Sequence, residues 1–202
     1  MFFRRIRVAT IVSRQIIPLL LITIVLSTPC YGKISIDNIS ITNMSKEIRI
    51  SATLHNGFTE NIVEAIESGV PVTFTYYLEL CRKVPMWFDN KVSMRTIKRS
   101  LQYDTLKKEY EFTYLDDKES SPKIIKGFDE IKELITRLDD VSLGSSKMLN
   151  PNNKYYVRIR ANMKSKRPWF PFNYILFFFS FFDFDTSWEK SSPFIIKKIP
   201  IK

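Results

Sequence analysis

Between Thr59 and Arg82 the apolar positions change period, and the change falls at a glycine. Ile62, Val63 and Ile66 form one stripe of a short amphipathic helix over Glu60–Ser68. Thr59 precedes it as the expected N-cap, its hydroxyl placed to accept from a first-turn amide. Glu60 sits at the positive end of the helix dipole. Gly69 is the expected left-handed residue after the helix, and Pro71 prevents continuation. From Val72 the period becomes two. Val72, Phe74, Tyr76, Leu78 and Leu80 share one face; Thr73, Thr75, Tyr77, Glu79 and Cys81 share the other. One face is wholly apolar and the other mixed, which predicts a central strand of an antiparallel sheet with one side on the core.

The same alternation recurs on both sides of this unit. Ile34, Ile36, Ile39 and Ile41 predict a first strand with an irregularity at Asp37-Asn38, and Ile48, Ile50, Ala52 and Leu54 a second, with a loop over Asn43–Glu47. His55-Asn56-Gly57 reads as a turn into the helix. Beyond the central strand, Pro85–Asn90 breaks the pattern and carries Trp87 and Phe88. A strand is predicted over Val92–Tyr103, with Lys98, Arg99 and Gln102 on its polar outer face. Another is predicted over Lys107–Leu115 on Tyr110, Phe112 and Tyr114, followed by a charged loop, Asp116–Lys126. Phe128, Ile131, Leu134, Ile135 and Leu138 have helical spacing and predict a second helix, Phe128–Asp140. After a loop at Gly144–Asn153, a strand follows on Tyr155, Val157, Ile159, Ala161 and Met163. A basic turn, Lys164–Pro171, leads into the apolar run Phe172–Phe184, read as a strand buried on both faces, and Pro193–Ile201 is expected to add a last edge strand. The predicted architecture is α+β: a mainly antiparallel, curved or sandwich-like sheet with two packed helices.

The first 32 residues stand apart. Arg4, Arg5 and Arg7 precede an uncharged apolar run, Ile16–Leu26, then Ser27, Thr28 and Pro29. That run is too short for a hydrocarbon core that takes about 20 residues. A cleavable signal peptide cut after Gly32 is the favoured reading, with an uncleaved inner-membrane anchor over residues 8–26 as the alternative. Either places residues 33–202, a single β-rich domain, in the periplasm. The net charge is +10, but four of the 31 basic residues lie in the leader, which leaves 27 against 21 acidic ones. That surplus favours solubility and gives no indication of nucleic-acid binding. Without the leader Cys81 is the only cysteine, so an intramolecular disulfide is excluded.

Candidate chemistry is sparse. The single histidine, His55, excludes a histidine-based zinc cluster, and no phosphate-binding glycine loop occurs. Asp183 and Asp185 read as the solvent side of a strand end. No cofactor and no enzymatic activity are expected; buried, converging carboxylates around Glu79 or Asp104 would argue otherwise. Trp87 and Phe88 in the first loop, and Lys166, Arg167, Trp169 and Phe170 in the basic turn, are the candidate contacts for a partner or lipid.

Several segments in order resemble a family of uncharacterised exported bacterial proteins, domain of unknown function family 4390. These are Ala65–Arg82, Trp87-Phe88-Asp89, Leu101–Phe112, Tyr155–Arg160, the Pro168–Phe172 turn and Phe182–Trp188, where Phe182 stands in place of an expected tryptophan. The resemblance implies an exported or membrane-tethered domain and carries no catalytic residues. It also implies a signalling partner, since genes of similar proteins lie near a membrane sensor histidine kinase. The expected function is therefore a non-enzymatic protein-interaction or signalling accessory module of the envelope. A carrier or sensor of an apolar ligand or lipid, held between the sheet and the second helix, is the alternative.

Overall fold

The helix–glycine–strand unit lies at the centre of the computed structural model, which describes residues 32–44, 46–115, 122–165 and 183–196. By its internal contacts the chain divides after Lys33, and the elements below belong to the unit Ile34–Lys202. Helix α1 (Glu60–Glu67) buries Ile62, Ala65 and Ile66. Thr59 is its N-cap in backbone position, but its hydroxyl makes no capping bond, contrary to expectation. The other end is built as predicted. Gly69 has φ +83°, its N–H donates to the Ile66 carbonyl (2.8 Å), and the Val70 N–H donates to Ala65 (3.1 Å). This paired closure satisfies two orphan carbonyls and needs a left-handed residue at Gly69.

The chain then enters β3 (Val72–Arg82), which pairs antiparallel with β4 (Asn90–Asp104) on one side and β8 (Tyr155–Ser165) on the other. Beyond β4 come β5 (Glu109–Tyr114) and β6 (Lys123–Ile125). The outer edge of β8 receives two short strands, β9 (Phe184–Asp185) and β10 (Glu189–Lys190). These seven strands form one open sheet. A second sheet has the order β1 (Ser35–Met44), β2 (Glu47–His55), β7 (Arg137–Ser145). The register of β1 on β2 shifts between Asp37 and Ser40, with Asn38 at φ 55°, at the predicted irregularity.

Both sheets are antiparallel and share one core. Ile36, Ile48, Ile50 and Leu54 from the small sheet meet Phe74, Tyr76, Leu78, Val157 and Ile159 from the large one, with Ile62 and Ile66 of α1 and Ile131 and Ile135 of α2 (Phe128–Thr136). The α+β, sandwich-like reading therefore holds.

The second helix is shorter than expected. It stops at Thr136, and the next nine residues are β7, where Val141 pairs with Ile50 and Leu138 with Ala52. Leu138 continues the helical spacing in sequence but is buried from a strand; the ladder offered by β2 wins over local periodicity. Arg99 is a second correction. It shares parity with Ile97 and Leu101, so it points inward and is 6% exposed, not part of a wet outer face. Most of the charged loop and of the Phe172–Phe184 run, and the end of the Pro193–Ile201 tail, lie outside the described residues.

Strand levels define two ends of the body. The β3–β4 hairpin closes at Arg82 and Asn90. Near it, the Ser93 hydroxyl donates to the Leu143 carbonyl, and Ser145 pairs with Glu47. Toward the other end, Val72 pairs with Ser165, Phe58 packs on Phe74 with centroids 5.3 Å apart, and β1 begins at Ser35 opposite His55. There Ser165 donates both its N–H (2.8 Å) and its hydroxyl (3.0 Å) to the Asp183 carboxylate, so β8 and the returning chain meet at a closed neck. Eleven residues of β3 at about 3.3 Å each separate the two ends.

Candidate functional site

The loop between β3 and β4 presents three consecutive large apolar side chains to solvent. Met86 is 103% exposed, Trp87 77% and Phe88 86%. Pro85 breaks the strand, and Met86 takes a left-handed φ of 58°, which is costly for a residue with a side chain. The loop is nevertheless pinned. Asp89 accepts the Val84 N–H (3.1 Å) on one oxygen and the Tyr156 hydroxyl (2.8 Å) on the other. The Lys83 N–H donates to the Lys154 carbonyl at 2.8 Å. The hydrogen bonds from Tyr156 and then Val84 hold the Asp89 carboxyl below its ordinary pKa. Burial, followed by the bond to Asp89, pushes the Tyr156 phenol up.

Beneath the tip, the outer face of β3 carries a buried ion cluster. Glu79 is 4% exposed. One of its oxygens meets Lys91 Nζ at 2.5 Å; the other accepts from Arg158 Nε (2.6 Å) and Nη2 (2.5 Å). Burial alone would raise the Glu79 carboxyl, but bonds and charges from Lys91 and Arg158 outweigh it and leave the pKa lowered. Arg158 lies over Trp188 at 4.7 Å, and Arg160 lies between Trp188 (5.3 Å) and Tyr77 (5.1 Å). These cation–π contacts fasten the 184–190 segment across the sheet face. Cys81 is buried beside Tyr156, and burial raises its thiol pKa, which makes it a poor nucleophile.

The charge near the tip is mostly positive. Lys83, Lys91, Lys154 and Lys190 are exposed around it, with Lys190 over the Tyr156 ring at 5.6 Å. Met94, 58% exposed and opposite Glu79 in the ladder, extends the apolar surface down β4.

Of the sequence candidates, Trp87 and Phe88 are together on this tip, their rings 6.4 Å apart. Lys166, Arg167, Trp169 and Phe170 lie outside the described residues, but Ser165, just before them, is at the opposite end of β3 from the tip. His55, read from sequence as part of a turn, is instead the exposed last residue of β2, paired with Ser35. Asp183 closes the neck, and Asp185 faces Arg160 at 3.5 Å. Glu79 is buried, but cations converge on it. Asp104 caps the turn after β4 by accepting the Leu106 and Lys107 amides, and lies ten residues along β4 from Met94, the partner of Glu79. The two carboxylates therefore do not converge.

Residues 32–192 match the model of a family described as Domain of unknown function (DUF4390). The chain belongs to that family. No curated protein and no solved structure matches it. In this DUF4390 domain the matched span runs from just before β1 to just beyond β10, and so contains the tip and its ion cluster.

Sequence reasoning located the tip but passed over its support. A carboxylate alternating with tyrosines and leucines on a central strand was one signal. The Arg158–Arg160 alternation on another strand was its complement, but pairing those strands needs a register that the sequence does not state.

Proposed function

We propose that this domain is a non-enzymatic docking module of the bacterial envelope. Its Met86-Trp87-Phe88 tip seats in an apolar pocket with an acidic rim on the extracytoplasmic part of a membrane protein, for which a sensor histidine kinase is the first candidate. The observation that carries the reading is the tip itself: three contiguous apolar side chains held out in water by Asp89, Tyr156 and Lys154. Exposed apolar groups on a pinned loop, ringed by lysines, suit a partner that is apolar at the centre and acidic at the rim. A protein partner is favoured over a bilayer because the loop is pinned in one shape by Asp89 and Tyr156, which suits a matching pocket better than a fluid surface.

The test uses the full chain in its native membranes, with a photo-crosslinking residue at Met86. The expected result is one discrete protein adduct that weakens as salt is raised and disappears with Trp87→Ala/Phe88→Ala. Burying an aromatic anchor is worth about 2 kcal/mol or more, so each single substitution should weaken the complex roughly 30-fold. An adduct indifferent to both tip substitutions would overturn the proposal. So would tip-dependent binding of the purified protein to vesicles of phosphatidylethanolamine and phosphatidylglycerol, which would assign the tip to lipid.

A further inference from the structure

A second feature, independent of the tip, lies where α2 gives way to β7. Arg99 comes up from β4 beneath the helix end, between the rings of Tyr76 (5.6 Å) and Tyr114 (5.7 Å). Its Nη1 donates to three carbonyls: Leu134 at 2.6 Å, Ile135 at 2.9 Å and Arg137 at 2.7 Å. Leu134 and Ile135 are among the last carbonyls of the helix, where a cation also answers the dipole, and Arg137 opens β7. The structural role accounts for one corner of the guanidinium. The opposite edge is the one that grips a carboxylate or phosphate side-on, and there Nε is buried without a hydrogen-bond partner.

Arg99 forms part of the wall of a cavity of about 350 Å³, with Tyr114, Glu130, Glu133, Leu134, Arg137 and Asp139. That volume is at the low end for small-molecule sites, about 300–1,000 Å³. The lining is mostly charged. Its charges are unevenly used. Arg137 is taken up by Glu133 (2.5 Å) and Asp139 (3.5 Å), whereas Glu130 has no ion pair among the described residues. Two cations face three carboxylates, with an incompletely bonded guanidinium in the wall and spare negative charge at the rim. Burial pulls the Arg99 pKa below its ordinary value, and Tyr76, Tyr114 and Asp139 oppose that shift. A simple anion would be repelled by the rim, and a simple cation by Arg99.

We propose that this cavity binds a small zwitterion, its carboxylate or phosphate drawn to the charge of Arg99 and its ammonium against Glu130 and Asp139. Free amino acids and phosphoethanolamine have this chemistry.

The test follows the Arg99 Nε–H resonance of the isotope-labelled full chain during titration with glycine, phosphoethanolamine, inorganic phosphate and ethanolamine. A saturable shift with at least one zwitterion is expected, with phosphate and ethanolamine at least tenfold weaker. Glycine against phosphoethanolamine tells a carboxylate occupant from a phosphate one. Removing Arg99 risks the fold, so the diagnostic variant is Glu130→Gln at the exposed rim, which should narrow the gap between phosphoethanolamine and phosphate. No saturable shift with either zwitterion, or phosphate binding as tightly as phosphoethanolamine in the unaltered protein, would overturn the assignment. Tip substitutions should leave these titrations unchanged, so this site and the docking reading stand or fall separately.

Discussion

Replacing Glu79 with glutamine removes the one carboxylate that answers Arg158 and Lys91 beneath the tip. Breaking a fully buried ion pair from one side costs about 3–5 kcal/mol, because the remaining charge is stranded. Here the stranded partners keep part of their hydration, since the Lys91 side chain is 47% exposed and that of Arg158 31%. That discount brings the expected loss to about 2–3 kcal/mol. For a body of this size each kcal/mol corresponds to about 2–4 °C, so the melting temperature should fall by about 5–10 °C at pH 7. The pH dependence makes the test specific. Glu79 has a folded pKa below its unfolded value of about 4.3. Its contribution is therefore fully present above that value and is lost as pH falls through the folded pKa. Thermal unfolding of wild type and Glu79→Gln from pH 7 to pH 3 should show a gap that is flat down to about pH 5 and then closes. The lowered carboxyls of Asp89 and Asp104 are present in both proteins and cancel in the difference. Glu79→Leu with Arg158→Met should recover much of the loss, because it removes the buried carboxylate together with its half-buried guanidinium partner. A gap that stays constant to pH 3, or no gap at pH 7, would refute the account.

Three further outcomes follow from local geometry. Gly69→Ala should cost about 1–2 kcal/mol in urea unfolding, because alanine resists the φ of +83° that the helix closure requires. Tyr76→Phe should cost about 1 kcal/mol by the same measurement. It removes the hydroxyl that donates to Ile135 at 2.6 Å, although that carbonyl keeps its bond from Arg99. With the leader absent, the Cys81 thiol should react with a disulfide reagent only at the rate at which β3 opens, and at the ordinary rate in urea.

The sequence made the core strands legible wherever alternation ran unbroken. Val72 through Leu80 and Tyr155 through Met163 carry buried residues at every predicted inward position. Parity was the stronger guide even where residue type misled. Arg99 follows Ile97 and precedes Leu101 at the same spacing, and only its charge argued for the outside. Helical spacing failed at Leu138 because both periods can accommodate Leu134 and Leu138, and the deciding interaction is a ladder to β2, more than 80 residues earlier. The aromatic tip could be named because Trp87 and Phe88 lie where the pattern breaks. Its clamp could not, since Tyr156 and Asp89 are 67 residues apart and meet only once β8 lies beside β3.

The closed neck at Ser165 and Asp183 has a practical corollary. The contact brings Ser165, the last residue of β8, to Asp183, just before β9, although seventeen residues of sequence, nine of them aromatic, separate the two. Beside it, β9 is in register with β8, with Asn162 opposite Asp185 and Met163 opposite Phe184. Because the two ends already meet, a short glycine-containing turn is long enough to join Ser165 to Asp183 without moving either strand.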